Sequence, residues 1–191
     1  NGRFYKTPGI EVVVKNSRGF FGDSTNLIFG TGDRASAYVD SLFGEHPEIE
    51  QWYGNDGSLF GARWYPITNE GKVLDGPVVD KEGRFLYDLT YGLGDFAPFD
   101  EDPHSESRDI RSNRDTNNSI VYLCRFNAGG AANYPIKIEW DTQDFPDNAQ
   151  LYLRDTLNGS LFPSVNMRQA TSIGGTRQAY WIGDPNITSF K

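Results

Sequence analysis

Short runs in which apolar and polar side chains alternate with a period of two, each closed by turn formers, constrain this chain more than any other feature. Ile10–Lys15 places Ile10, Val12 and Val14 on one face. Within 134–140, Ile136, Ile138 and Trp140 point one way while Lys137 and Glu139 face water. Residues 119–126 set Ile120, Tyr122, Cys124 and Phe126 on one side. Further strands are predicted at 25–29, 59–65, 84–91, 150–154, 178–182 and 187–190, with Leu157-Asn158-Gly159-Ser160 as a hairpin turn before Leu161 and Phe162. Only 35–43 and 48–53 have room for a helical turn, and neither is long enough for an independent helix. The pattern predicts an all-β fold: a single antiparallel β-sandwich, Ig-like or jelly-roll-like, with long loops.

Composition fits that reading. Four Trp, ten Tyr and thirteen Phe are too many aromatics for a disordered chain, and 21 Gly with 10 Pro supply the turns. A length of 191 residues suits one domain. We expect it to span 10–191, after an N-terminal arm at 1–9 and around a long loop at 92–118 that holds seven acids and three arginines. No run of 18 apolar residues exists, which argues against membrane insertion. The net charge of −8 argues against nucleic acid, whose phosphates require a basic face. The chain begins at Asn1 and its one methionine is Met167, which predicts a processed chain or an excised fragment.

The residue types that carry chemistry are scarce. The histidines are His46 and His104 and the sole thiol is Cys124, whose place on an alternating run predicts burial. There is no nucleophile elbow, no phosphate-binding glycine loop and no zinc-type cluster. The expectation is therefore a non-enzyme with no cofactor. A glycoside-active enzyme, which needs only two carboxylates, stands third among the readings. Calcium is the one ion to consider, through Asp100, Glu101, Asp102, Glu106 and Asp109, or through Asp141, Asp144 and Asp147. Acid runs of this kind are more often solvated loops than metal sites. Trp52 and Tyr53, beside Gly54-Asn55, are candidates for stacking on sugar rings. Sequons for N-glycosylation stand at Asn117, Asn158 and Asn186.

Several motifs together resemble a known family. Leu27-Ile28-Phe29-Gly30, Ala35, Asp40, Phe43-Gly44-Glu45 and Phe60-Gly61-Ala62-Arg63-Trp64 are similar to the opening of an extracellular β-sandwich domain of Bacteroidota secreted and surface proteins, often exported by the type IX secretion system. Asp109-Ile110-Arg111, then Tyr134 through Asp141, Leu151, Leu153, Asp155 and Asn166-Met167, resemble its later part. The resemblance spans roughly residues 12–167. It implies an extracellular or cell-surface location and brings no catalytic residue with it. It also implies covalent O-glycans at Asp-Ser/Thr sites, which here are Ser24, Ser41 and Thr156.

The termini suggest assembly. The arm carries Phe4 and Tyr5 and runs into the strand of Ile10, Val12 and Val14. Sandwich edges are used for strand addition, and head-to-tail strand donation between copies propagates into fibres. These residues are thus the assembly candidates. The expected function is a structural subunit of a surface filament or layer made of copies of itself. A carbohydrate-binding or adhesin module of a larger surface protein is the alternative.

Overall fold

The computed structural model describes residues 9–18, 23–32, 60–65, 78–79, 85–87, 108–112, 119–157 and 159–191. The fold is all-β. In chain order the strands are β1 (Ile10–Lys15), β2 (Ser24–Gly32), β3 (Phe60–Tyr65), β4 (Val78–Val79), β5 (Phe85–Tyr87), β6 (Arg108–Ser112), β7 (Leu123–Ala128), β8 (Ile136–Asp141), β9 (Tyr152–Leu153), β10 (Val165–Asn166), β11 (Thr171–Gly174), β12 (Arg177–Ile182) and β13 (Ser189–Phe190). A six-stranded sheet runs β11-β12-β8-β1-β2-β6, and a three-stranded sheet runs β13-β7-β3. Two small pairs, β4-β5 and β9-β10, complete the described strands.

β1 lies at the centre of the larger sheet. It pairs antiparallel with β2 from Ile10↔Phe29 to Lys15↔Ser24, and on its other side with β8 from Val12↔Trp140 to Lys15↔Lys137. β12 continues the sheet against β8, from Arg177↔Asp141 to Ile182↔Ile136. At the far edge β6 pairs with β2 in parallel, from Ile28↔Arg108 to Gly32↔Ser112.

Alternation then sorts the side chains. Val12, Val14, Leu27, Phe29, Ile138 and Trp140 are buried in a core shared with Ala62, Trp64, Cys124, Phe126 and Phe190 of the smaller sheet. The two sheets therefore contribute to one core. Phe29 of the larger sheet meets Trp64 of the smaller one edge-on at 5.5 Å between centroids, and within the smaller sheet Trp64 lies against Phe190 at 6.2 Å. Polar groups at the margins tie the layers as well: the Tyr122 hydroxyl donates to the Gly30 carbonyl at 2.6 Å and the Tyr134 hydroxyl to the Ile187 carbonyl at 2.7 Å. The Trp140 indole N–H is satisfied by the Met167 carbonyl at 2.8 Å.

Several expectations need correction. Ile10, Val12 and Val14 were candidates for contact between copies through an open edge. β1 instead has a partner strand on each side, and all three side chains are buried in the chain's own core. The long loop expected at 92–118 is interrupted by β6, whose parallel pairing with β2 has no sequence signal in so polar a segment. Glu139 faces outward as predicted but is buried, at 3% exposure. Strand bounds shift as well: β8 begins at Ile136, and residues 119–122 stay outside β7. Leu161 and Phe162 lie in a turn segment instead of a hairpin strand. The two segments expected to hold helical turns lie outside the described residues.

Because Ile138 is fully buried in β8, between β1 and β12, truncating it should leave a cavity that neighbours on two strands cannot fill. Ile138→Ala is expected to lower unfolding stability by about 3 kcal/mol. Urea denaturation should show a lower midpoint with an unchanged slope.

Candidate functional site

The outer face of the six-stranded sheet carries its most concentrated chemistry. One rung there runs Ser24, Lys15, Lys137, Trp181 across β2, β1, β8 and β12. Two lysines directly opposite each other on adjacent strands repel. Glu139, two residues along β8 on the same face, relieves that repulsion. Its Oε1 lies 2.5 Å from Lys137 Nζ, and its Oε2 lies 3.2 Å from Lys15 Nζ and 2.6 Å from Arg177 Nη2. Three cations from three strands thus share one carboxylate. The three cationic side chains stay partly exposed, whereas that of Glu139 is buried. Burial by itself pushes the Glu139 carboxyl up, but the hydrogen bonds and charges of Lys137 and Lys15 outweigh it and hold the group below its ordinary range. Beside the cluster, Trp181 is 40% exposed, with Lys137 Nζ 5.5 Å from its ring centroid. On the rung beyond, Arg177 stands opposite Asp141.

A second buried carboxylate organises the loop after β9. Asp155 has no exposure, and each of its oxygens accepts two backbone N–H bonds. Oδ1 takes those of Leu157 at 2.7 Å and Gly159 at 2.8 Å, and Oδ2 takes those of Leu161 at 2.5 Å and Phe162 at 2.8 Å. Gly159 sits at a φ of 90°, a region that favours glycine. Desolvation pushes the Asp155 carboxyl up, yet the four N–H donors outweigh it and keep it below the usual carboxylate range. With Leu157 and Leu161 both exposed, the loop holds two leucines outward on a fixed backbone.

The remaining candidates are dispersed. Cys124 is buried, and burial raises its thiol well above the ordinary value, so it has no thiolate to offer. Ser24 is exposed at the start of β2. Thr156 is half-buried, its hydroxyl 3.3 Å from that of Ser189. Asn186 is exposed, with its amide donating to Asp184 Oδ1 at 2.9 Å. Asp109 is buried in β6. Asp141 accepts from the Thr176 side chain and from the Gln143 N–H at 2.9 Å, which hold its carboxyl low, and it caps the short 3-10 turn Thr142–Asp144. Asp144 and Asp147 are exposed, and among the described residues no three acidic, histidine or cysteine side chains gather as a metal group. Phe4, Tyr5, Ser41, His46, Trp52, Tyr53, Asp100, Glu101, Asp102, His104, Glu106, Asn117 and Asn158 lie outside the described residues.

The Glu139 cluster was not anticipated. Its only trace in the sequence is Lys137-x-Glu139 in an alternating strand, since Lys15 and Arg177 join it through sheet register. Compared with protein-family models, curated proteins and solved structures, the chain matches none.

Both buried carboxylates are held low, so their stabilisation is fully present above about pH 4, the ordinary carboxylate range, and is lost as pH falls through their depressed folded values. Asp155→Asn keeps the side-chain shape but sets an amide donor against backbone donors. It should cost on the order of 3 kcal/mol at neutral pH and flatten the acid limb of the stability profile. Thermal melts of both proteins between pH 7 and pH 3 check this, and equal acid sensitivity would count against the Asp155 assignment.

Proposed function

We propose that this chain is a non-enzymatic structural protein of the cell exterior, a subunit of a filament or layer built from copies of itself and joined through its N-terminal arm. The observation that carries this reading is the central position of β1. The arm at 1–9 leads directly into a strand bonded to β2 on one side and β8 on the other. Tension applied along such a strand loads all of its ladder bonds at once, in shear, because those bonds lie perpendicular to the strand. A segment rooted in this way is a tether that resists extraction.

The root itself is tight. A Cβ at Gly9 would collide with the Ile28 side chain and touch that of Ile110 at 3.8 Å. At the other end of β1, Asn16 closes the turn into β2: its N–H donates to the Asp23 carbonyl at 3.1 Å, and its Oδ1 accepts from the N–H groups of Arg18 and Asp23. That closure favours a β1 that stays with its own β2, leaving the residues before Gly9 to reach a neighbour.

The non-enzymatic part of the reading draws on how buried ionisable groups are used. Asp155 is occupied by four N–H donors, Glu139 by three cations, and Cys124 is sealed in the core. The extracellular location draws on the motif resemblance in residues 12–167. Among the described residues, Ser24 and Asn186 are the candidate glycan acceptors that are exposed, and covalent glycans there would sit outside the core.

Removing residues 1–8 while keeping Gly9 should leave a folded protein, with near-native circular dichroism and melting, that no longer assembles. Electron microscopy and sedimentation of the two forms provide the comparison. Filaments or layers formed equally well by the truncated chain would rule the tether out.

A further inference from the structure

We propose that the Lys15–Lys137–Trp181 rung is a docking surface for the acidic stretch 92–107 of a second copy of this chain, which would make it a second contact within the assembly. The inference rests on the structural reading above but uses different residues. Four observations lead to it. First, the rung holds two cations and an exposed indole with no carboxylate among its four residues. Second, the carboxylate serving the cluster, Glu139, is buried beneath it and is shared by three cations, so it cannot neutralise them all. Arg177, which also pairs with Glu139, stands opposite Asp141 on the rung beyond, so three cations face two carboxylates and one positive charge is left over. Third, Lys137 is held near Trp181 by its ion pair with Glu139, so an incoming carboxylate meets a cation and an aromatic surface already in place.

The fourth observation is complementarity. The whole chain has a net charge of −8, so this cationic, aromatic rung is set against the general sign of the protein. Residues 92–107 hold Asp95, Asp100, Glu101, Asp102 and Glu106, with no lysine or arginine, and also contain Phe96 and Phe99. Acid and aromatic residues in one segment match cations and an indole on one rung. A copy donating that stretch while offering its own rung makes a head-to-tail contact that propagates instead of closing. Electrostatic complementarity of this kind governs the rate and register of association and weakens with salt.

The test measures self-association of the intact chain by sedimentation velocity at about 20 mM and about 500 mM NaCl, above and below the length at which screening suppresses the contact. The rung predicts association at least about tenfold weaker in the high salt. Trp181→Ala removes the indole without touching the Glu139 ion pairs. The triple change Asp100→Asn, Glu101→Gln, Asp102→Asn removes charge from the proposed partner. Each should weaken low-salt association by about tenfold, with melting near that of the unaltered chain. Lys15→Gln leaves Lys137 and Arg177 on Glu139 and should lessen the salt dependence. Association indifferent to salt and to Trp181→Ala overturns the proposal. So does a rung that binds the polyanion polygalacturonate, in a Trp181-dependent way, while self-association is unaffected by the triple change. If deleting 1–8 abolishes assembly while the Trp181 variant assembles normally, the tether stands and this docking surface falls. If the reverse holds, the docking surface stands without the tether.

Discussion

The structure depends on the two ladders that β1 makes at once, with β2 and with β8. One partner is its neighbour in sequence; the other is more than 120 residues away. Only this double pairing places Val12 and Val14 between Leu27 and the Ile138–Trp140 pair on a continuous face, and that face shares its core with the smaller sheet. Backbone bonds fix the register, and register in turn decides which side chains reach the core, because a slip of one residue would turn every apolar group outward. The Phe29–Trp64 contact between the two sheets therefore follows from β1.

The same register creates the chemistry of the outer face. Alternation that buries Ile136, Ile138 and Trp140 must present Lys137 and Glu139 on the other side, and pairing then sets Lys15 and Trp181 next to Lys137. Glu139 is buried because three long cationic side chains converge on it. Asp155 solves a different problem by the same means, a carboxylate with its oxygens filled. One gathers side chains across strands that are distant in sequence; the other gathers backbone donors within an eight-residue loop.

Much of this was legible in the sequence, for a physical reason. Period-two alternation marks a strand with one buried face, so β1, β8 and β12 emerge nearly at their true bounds, and the burial of Cys124 follows from its alternation with Tyr122 and Phe126. What could not be read depends on pairing. β6 is polar, and only its parallel alignment with β2 makes it a strand. The central place of β1 is a property of partners, invisible in Ile10–Lys15 itself. The Glu139 cluster draws on β1, β8 and β12, and local spacing records only two of its four members. The four-donor role of Asp155 was also hidden, since the same residues read as a plain hairpin turn.

Pairing the first strand with one that starts at Ile136 also sets the order of events during folding. Contacts of such long sequence separation require large loop closure and form slowly. Until β8 arrives, β1 is a segment of strong β propensity whose second edge is open, the kind of stretch that recruits other chains. Glu11 and Lys15 punctuate Ile-Glu-Val-Val-Val-Lys with charge, and in the unfinished chain they act as guards against misassociation. In the finished sheet Lys15 changes role and pairs with Glu139, on the strand for which β1 had waited.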